Sequence, residues 1–105
     1  MKRLSKTDSE LNLLNAALVV IKKVGFKSMR RDAVALEAGA QPTMINHHFN
    51  NMLLFRGAVV KHAVNIEDLE VLFQVLVTPG HKYGCIIPDA LKQKTWSAFI
   101  LDRHL

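Results

Sequence analysis

The chain has 105 residues, half of them hydrophobic, with one cysteine and a formal net charge of +5. That length holds one domain with one modest core or a domain plus an appendage, and that hydrophobicity is too high for a disordered chain. No apolar run approaches the ~20 residues of a membrane span, the basic stretch MKRLSKTDSE lacks the apolar centre of a secretory signal, and the lone Cys85 leaves no internal disulfide framework and suits a reducing cytoplasm.

Taken in chain order, the first helix is announced by Thr7-Asp8-Ser9-Glu10, a capping box able to satisfy orphan amides of the first turn. Leu13, Leu14, Ala17, Val20 and Ile21 follow at helical spacing. Lys22 and Lys23 suit the negative end of the helix dipole, and Gly25 suits a left-handed terminus, so residues 8–24 are predicted helical. A second helix is expected from Met29 to Ala38, with Ser28 as its N-cap and Gly39 ending it, although Arg30 and Arg31 oppose the dipole in its first turn. Pro42 offers its fixed φ at the first position of a short third helix, roughly 42–48. Asn50 or Asn51 caps a fourth, in which apolar residues recur from Met52 to Val77, about 40 Å at ~1.5 Å per residue. Thr78-Pro79-Gly80 stops it, residues 81–87 read as loop, and Pro88-Asp89 opens a last helix to about Arg103. No strand is expected, since Cys85-Ile86-Ile87 is too short. The predicted fold class is all-α: a helical bundle with an N-terminal helix-turn-helix, homeodomain-like in its three helices, then a long helix and a short C-terminal one.

The charge is unevenly placed. Residues 1–57 carry nine lysines and arginines (Lys2, Arg3, Lys6, Lys22, Lys23, Lys27, Arg30, Arg31, Arg56) against four acids (Asp8, Glu10, Asp32, Glu37), whereas residues 58–105 carry five of each. A basic first half suggests an anionic partner there, most often nucleic acid. Two helices joined by a tight turn, Ala38-Gly39-Ala40, fit a helix-turn-helix when the second is short and polar-faced. The N-terminal end of that short helix favours a phosphate. Gln41, Thr43, Met44, Asn46 and His47 are then expected on its exposed face, meeting base edges or phosphates: Gln and Asn pair with adenine, Thr bonds permissively, and Met touches a thymine methyl. Lys27, Arg30, Arg31, Pro42 and His48 complete the expected DNA-binding set, His48 in a packing or a phosphate role.

Residues about 11–60 resemble the N-terminal domain of the TetR family of bacterial transcriptional repressors. Leu13-Leu14-Asn15-Ala16-Ala17 and Val24-Gly25-Phe26 are similar to the family's first helix and its Gly-aromatic ending. Val34-Ala35-Leu36-Glu37-Ala38-Gly39-Ala40 resembles its Ile-Ala-x-x-Ala-Gly-Val segment, and Gln41 to Phe49 its recognition helix, which usually ends Leu-Tyr-x-His-Phe. Leu54-Phe55 and Ala58-Val59 resemble the start of its fourth helix. Four positions depart: Asn46 stands for the usual Tyr, Met52 for the usual Lys, Arg30 for a helix-opening Thr, and Arg31 beside it for an apolar core residue. The family's Tyr and Lys commonly touch DNA phosphate.

The resemblance implies a sequence-specific DNA-binding repressor that acts by occupying a promoter on double-stranded DNA. Residues 1–57 form the DNA-binding domain on this reading, and 58–105 a shortened helical region with a dimerisation role. Family members usually continue into a larger effector-binding domain; 58–105 is too short to enclose such a pocket, so no ordinary small-molecule effector site is expected. In the last helix, Ala90, Leu91, Trp96, Phe99 and Ile100 form an apolar surface that packs either on its own chain or on a second copy as a homodimer. The alternative is a truncated family member that does not bind DNA and acts as a dimerisation or protein-interaction module. Neither an enzyme nor a cofactor is expected, and no membrane role. Cys85 stands near no Ser–His–acid arrangement, and the adjacent His47 and His48 point to different helix faces and cannot form an i, i+4 metal pair. Leu69 to Gln74 resembles a viral protease site but lacks the Gly-Pro that should follow, and Glu67 and Asp68 are read as a solvated acidic face.

Overall fold

The computed structural model describes residues 6–78 and 82–99, with side chains from Asp8 onward. Among the described residues six α-helices follow one another: α1 Lys6–Val24, α2 Arg31–Ala38, α3 Thr43–Phe49, α4 Met52–Asn65, α5 Leu69–Val77 and α6 Asp89–Phe99, with a 3-10 turn at Gly84–Ile86 before the last. The fold is all-α, and no strand occurs among the described residues.

The first helix takes the face its spacing predicts, burying Leu13, Ala17, Val20 and Ile21 and leaving Leu14 half-buried. Thr7 lies within its described part, Lys6–Val24, rather than flanking it as a cap; the Thr7 side chain is outside the described ones. Gly25 ends it at φ +91°, a conformation costly for any residue with a Cβ, and its amide donates to the Ile21 carbonyl.

The second helix starts two residues later than expected, and Ser28 does not cap it. Arg30 is the N-cap, in extended conformation and without a side-chain cap bond. The cause lies in α4. The Arg56 guanidinium donates to the Phe26 and Met29 carbonyls at 2.8 and 2.5 Å. The Met29 carbonyl is thereby spent on a side chain instead of opening a helix, while the buried Phe26 and Met29 side chains anchor the segment in the core. At its other end α2 closes as expected. Gly39 is left-handed at φ 68°, its amide donates to Leu36 O and the Ala40 amide to Ala35 O, the paired bonds of a Schellman motif.

The third helix opens after Pro42, which is its N-cap rather than its first residue, and buries Ile45. Asn51 is the cap of α4, its Oδ1 accepting from the Leu54 amide at 2.9 Å.

The expected single helix from Met52 to Val77 is two helices. α4 ends at Asn65, Glu67 turns left-handed at φ 53°, and α5 begins after Asp68. The Glu67 amide donates to Val64 O and the Asp68 amide to Ala63 O, repeating the motif that closes α2 without a glycine. Asp68 then accepts from the Val71 amide as N-cap of α5 and pairs with Lys22 of α1 at 2.9 Å, while Glu67 accepts from Lys94 of α6 at 2.8 Å. Glu67 is solvent-exposed, as a solvated face requires, whereas Asp68 is drawn in; both build the corner. The corner lets α5 fold back, so that Val71, Leu72 and Val75 join Leu13, Ile21 and Phe55 in one core.

The last helix packs on α5 through Leu91 and a fully buried Thr95, whose hydroxyl donates to the Leu91 carbonyl. Phe73 stacks on Phe99 with centroids 4.9 Å apart and meets Trp96 edge-on at 5.9 Å. Ala90 is exposed and takes no part, and Ile100 to Arg103, where the helix was expected to continue, lie outside the described residues.

Candidate nucleic-acid interface

The short α3 sorts its residues by face. Ile45 is buried and Phe49 leans on Phe55, centroids 5.0 Å apart, so this side faces the core. Thr43, Asn46 and His47, spaced i, i+3, i+4, share the opposite face and are exposed, with exposed Gln41 just before the helix. Among the described residues no side-chain hydrogen bond uses any of these four, so their donors and acceptors face solvent.

Two expected site residues sit differently. Met44 is half-buried against the core, because on a helix this short the turn that buries Ile45 also draws in its neighbour. His48 is withdrawn: its side chain is only 6% exposed and packs against His47 and Phe49. Its Nδ1 lies 3.7 Å from Glu10 Oε1, beyond hydrogen-bond reach. Of the two roles expected for His48, packing is the one it fills. Pro42 is half-buried.

Six cationic side chains are described between Asp8 and residue 57, and they divide evenly. Lys22 pairs with Asp68, Lys23 with Glu37 at 3.0 Å, and Arg56 is turned inward onto backbone carbonyls. Lys27, Arg30 and Arg31 are exposed and have no ion pair among the described residues. Among the described side chains, the unpaired cations of this half thus lie on one segment, residues 27–31 at the start of α2, with the exposed Asp32 next to them.

Two residues that set this surface were not singled out from the sequence. Arg56 fixes residues 26–29 and therefore where Lys27 and Arg30 stand. Asn12 of α1 donates from Nδ2 to the Ala38 carbonyl at 3.0 Å, tying down the end of α2 just before the turn into α3. Neither carries a local signal, since each acts on a segment 26 or more residues away.

The exposed cations can pair with anionic groups, and the outward polar side chains of α3 can hydrogen-bond to a partner. Among the described residues no group of three His, Cys, Asp or Glu side chains is placed to hold a metal ion. No helix there is long and apolar enough to cross a membrane. Comparison with family models, with curated proteins and with solved structures finds no match.

Proposed function

We propose that the chain is a sequence-specific DNA-binding transcriptional regulator, a TetR-like repressor of the cytoplasm that acts by promoter occupancy as a homodimer. The observation that carries this reading is a short helix whose outer face, Thr43, Asn46 and His47, keeps its hydrogen-bonding groups free, in a half of the chain that also exposes Lys27, Arg30 and Arg31 without an ion pair among the described residues. Cations of that kind neutralise phosphates, and polar groups of that kind read base edges. Repression is then steric, and no bond is made or broken.

A mobility-shift series over salt concentration tests it. Affinity should fall with a log–log slope of about −0.9 per phosphate neutralised, and the combined Lys27→Ala, Arg30→Ala, Arg31→Ala variant should flatten the slope by roughly 2–3. A salt-independent response would overturn the DNA reading.

A second reading is favoured by Met52. Where the resembled family has a phosphate-binding lysine, this side chain is apolar and half-buried against the core. A shortened family member that pairs with a longer relative, without binding DNA itself, accommodates that. It predicts dimers in solution and no shift of any duplex, even at low salt.

A further inference from the structure

We infer that a groove along the outer face of α4 binds a small amphiphilic carboxylate, an aliphatic or aromatic body carrying one anionic group. The groove measures about 490 Å3. Its floor is a stripe of α4 on which Leu53 and Leu54 are more than half exposed and Gly57 and Ala58 make a depression. Tyr83 and Ile86, from the segment around the 3-10 turn, form its wall. That wall is fixed: the Tyr83 ring meets Phe26 edge-on at 5.6 Å, and its hydroxyl donates to the Leu53 carbonyl at 3.3 Å. Gly57 is what keeps the floor low, since a Cβ there would meet the Tyr83 ring at 3.8 Å and a longer side chain would occupy the space.

Charge names the occupant. Lys61 and Lys82 line the groove, both are exposed, and among the described residues no carboxylate pairs with either. An apolar trough edged by two uncompensated ammonium groups is complementary to a molecule that is apolar along its length and anionic at an end. Size decides between a small molecule and a protein. The lining is eight residues, whereas a stable protein interface takes roughly 20–30 a side, and the volume falls in the ~300–1,000 Å3 range of small-molecule sites. The ordinary enclosed effector pocket was not expected at this chain length, and this site differs from one in being open along α4.

Decanoate, decanol and decyltrimethylammonium, titrated into the full chain below their micellar concentrations and followed by amide chemical shifts, test the assignment. Decanoate should shift residues 53–61 and 82–86 and bind about tenfold more tightly than the cation, with decanol between them. Lys61→Gln with Lys82→Gln should erase that preference while leaving decanol bound. Gly57→Leu should weaken all three; should it fail to fold, the lysine variant, altered only at exposed side chains, decides. Equal affinity for anion and cation, shifts elsewhere in the chain, or binding only to phosphatidylglycerol vesicles would overturn the proposal. No DNA is present in the titration, so its outcome is independent of the DNA reading.

Discussion

The guanidinium of Arg56 sits 5.5 Å from the centroid of the Phe26 ring while its two terminal nitrogens hold the Phe26 and Met29 carbonyls. One side chain of α4 thus ends the α1–α2 connection and sets the first residue of α2. Arg56→Ala should cost about 2–3 kcal/mol, the value of charge-assisted bonds to partly buried carbonyls. Arg56→Lys should recover only part of it, because an ammonium lacks the planar fork. Chemical denaturation of the three proteins measures this, and equal midpoints would show the fork to be ornamental.

Asp68 both caps α5 and pairs with Lys22. Asp68→Ala should lower stability by about 1–2 kcal/mol, the cap providing roughly 1 and the ion pair at most about 1. Asp68→Asn keeps the cap and loses the charge, so it should fall between. A double-mutant cycle with Lys22→Ala isolates the pair.

The hydrogen bond from Lys94, and then its charge, holds the Glu67 carboxyl below the usual carboxylate range. A depressed carboxylate stabilises the fold above its unfolded titration point, and that contribution is lost as pH falls through the lower, folded one. Lys94→Ala should return the Glu67 carboxyl towards the ordinary range. Carbon NMR of that carboxyl through an acid titration reads the difference directly; an unmoved titration would mean the pair does not form in solution.

Met52→Lys should strengthen DNA binding without changing sequence preference. A lysine stem can cover the apolar neighbours that Met52 now meets and bring its ammonium out to phosphate. The dipole at the start of α4 opposes a cation by about 0.3–1 kcal/mol, a cost that a new phosphate contact should exceed at low salt. Thr43→Ala should instead change which duplexes are preferred. Affinities for specific and scrambled duplexes at two salt concentrations separate these effects, and no response to either substitution would place DNA elsewhere.

Trp96 is 37% exposed although it meets Phe73 in its own chain. If that remaining face pairs two copies, Trp96→Asp should convert dimer to monomer in light scattering while leaving most of the helical circular dichroism intact. The preferred duplex should then be an approximate palindrome with half-sites about one helical turn, or a multiple of it, apart. A wild-type monomer would remove the homodimer from the proposed function.

What could be read in advance follows a physical rule. Gly25, Gly39 and a cap at Asn50 or Asn51 were legible because the residue itself is the signal: a missing Cβ for left-handed backbone, a short amide for a cap, with Asn51 the one that caps. The corner at Glu67 was not, because glutamate rarely adopts that conformation and its stabilising contacts, Lys94 and the Lys22 partner of Asp68, arrive from distant helices. Ser28 failed for the same reason, its position overruled by Arg56. On α3, Thr43, Asn46 and His47 turn outward as expected, whereas Met44, expected with them, packs against the core. The burial of His48 depends on where Glu10, Phe49 and α1 stand, which no local pattern contains.

The corner between α4 and α5 has one more effect. By returning the chain onto α1, it makes the packing of Leu13 and Phe55 continuous with that of Val71, Leu72 and Leu91. The helix that faces outward at Asn46 and the helix that carries Trp96 should therefore unfold together. Whatever ligand stabilises one end should slow amide exchange at the other.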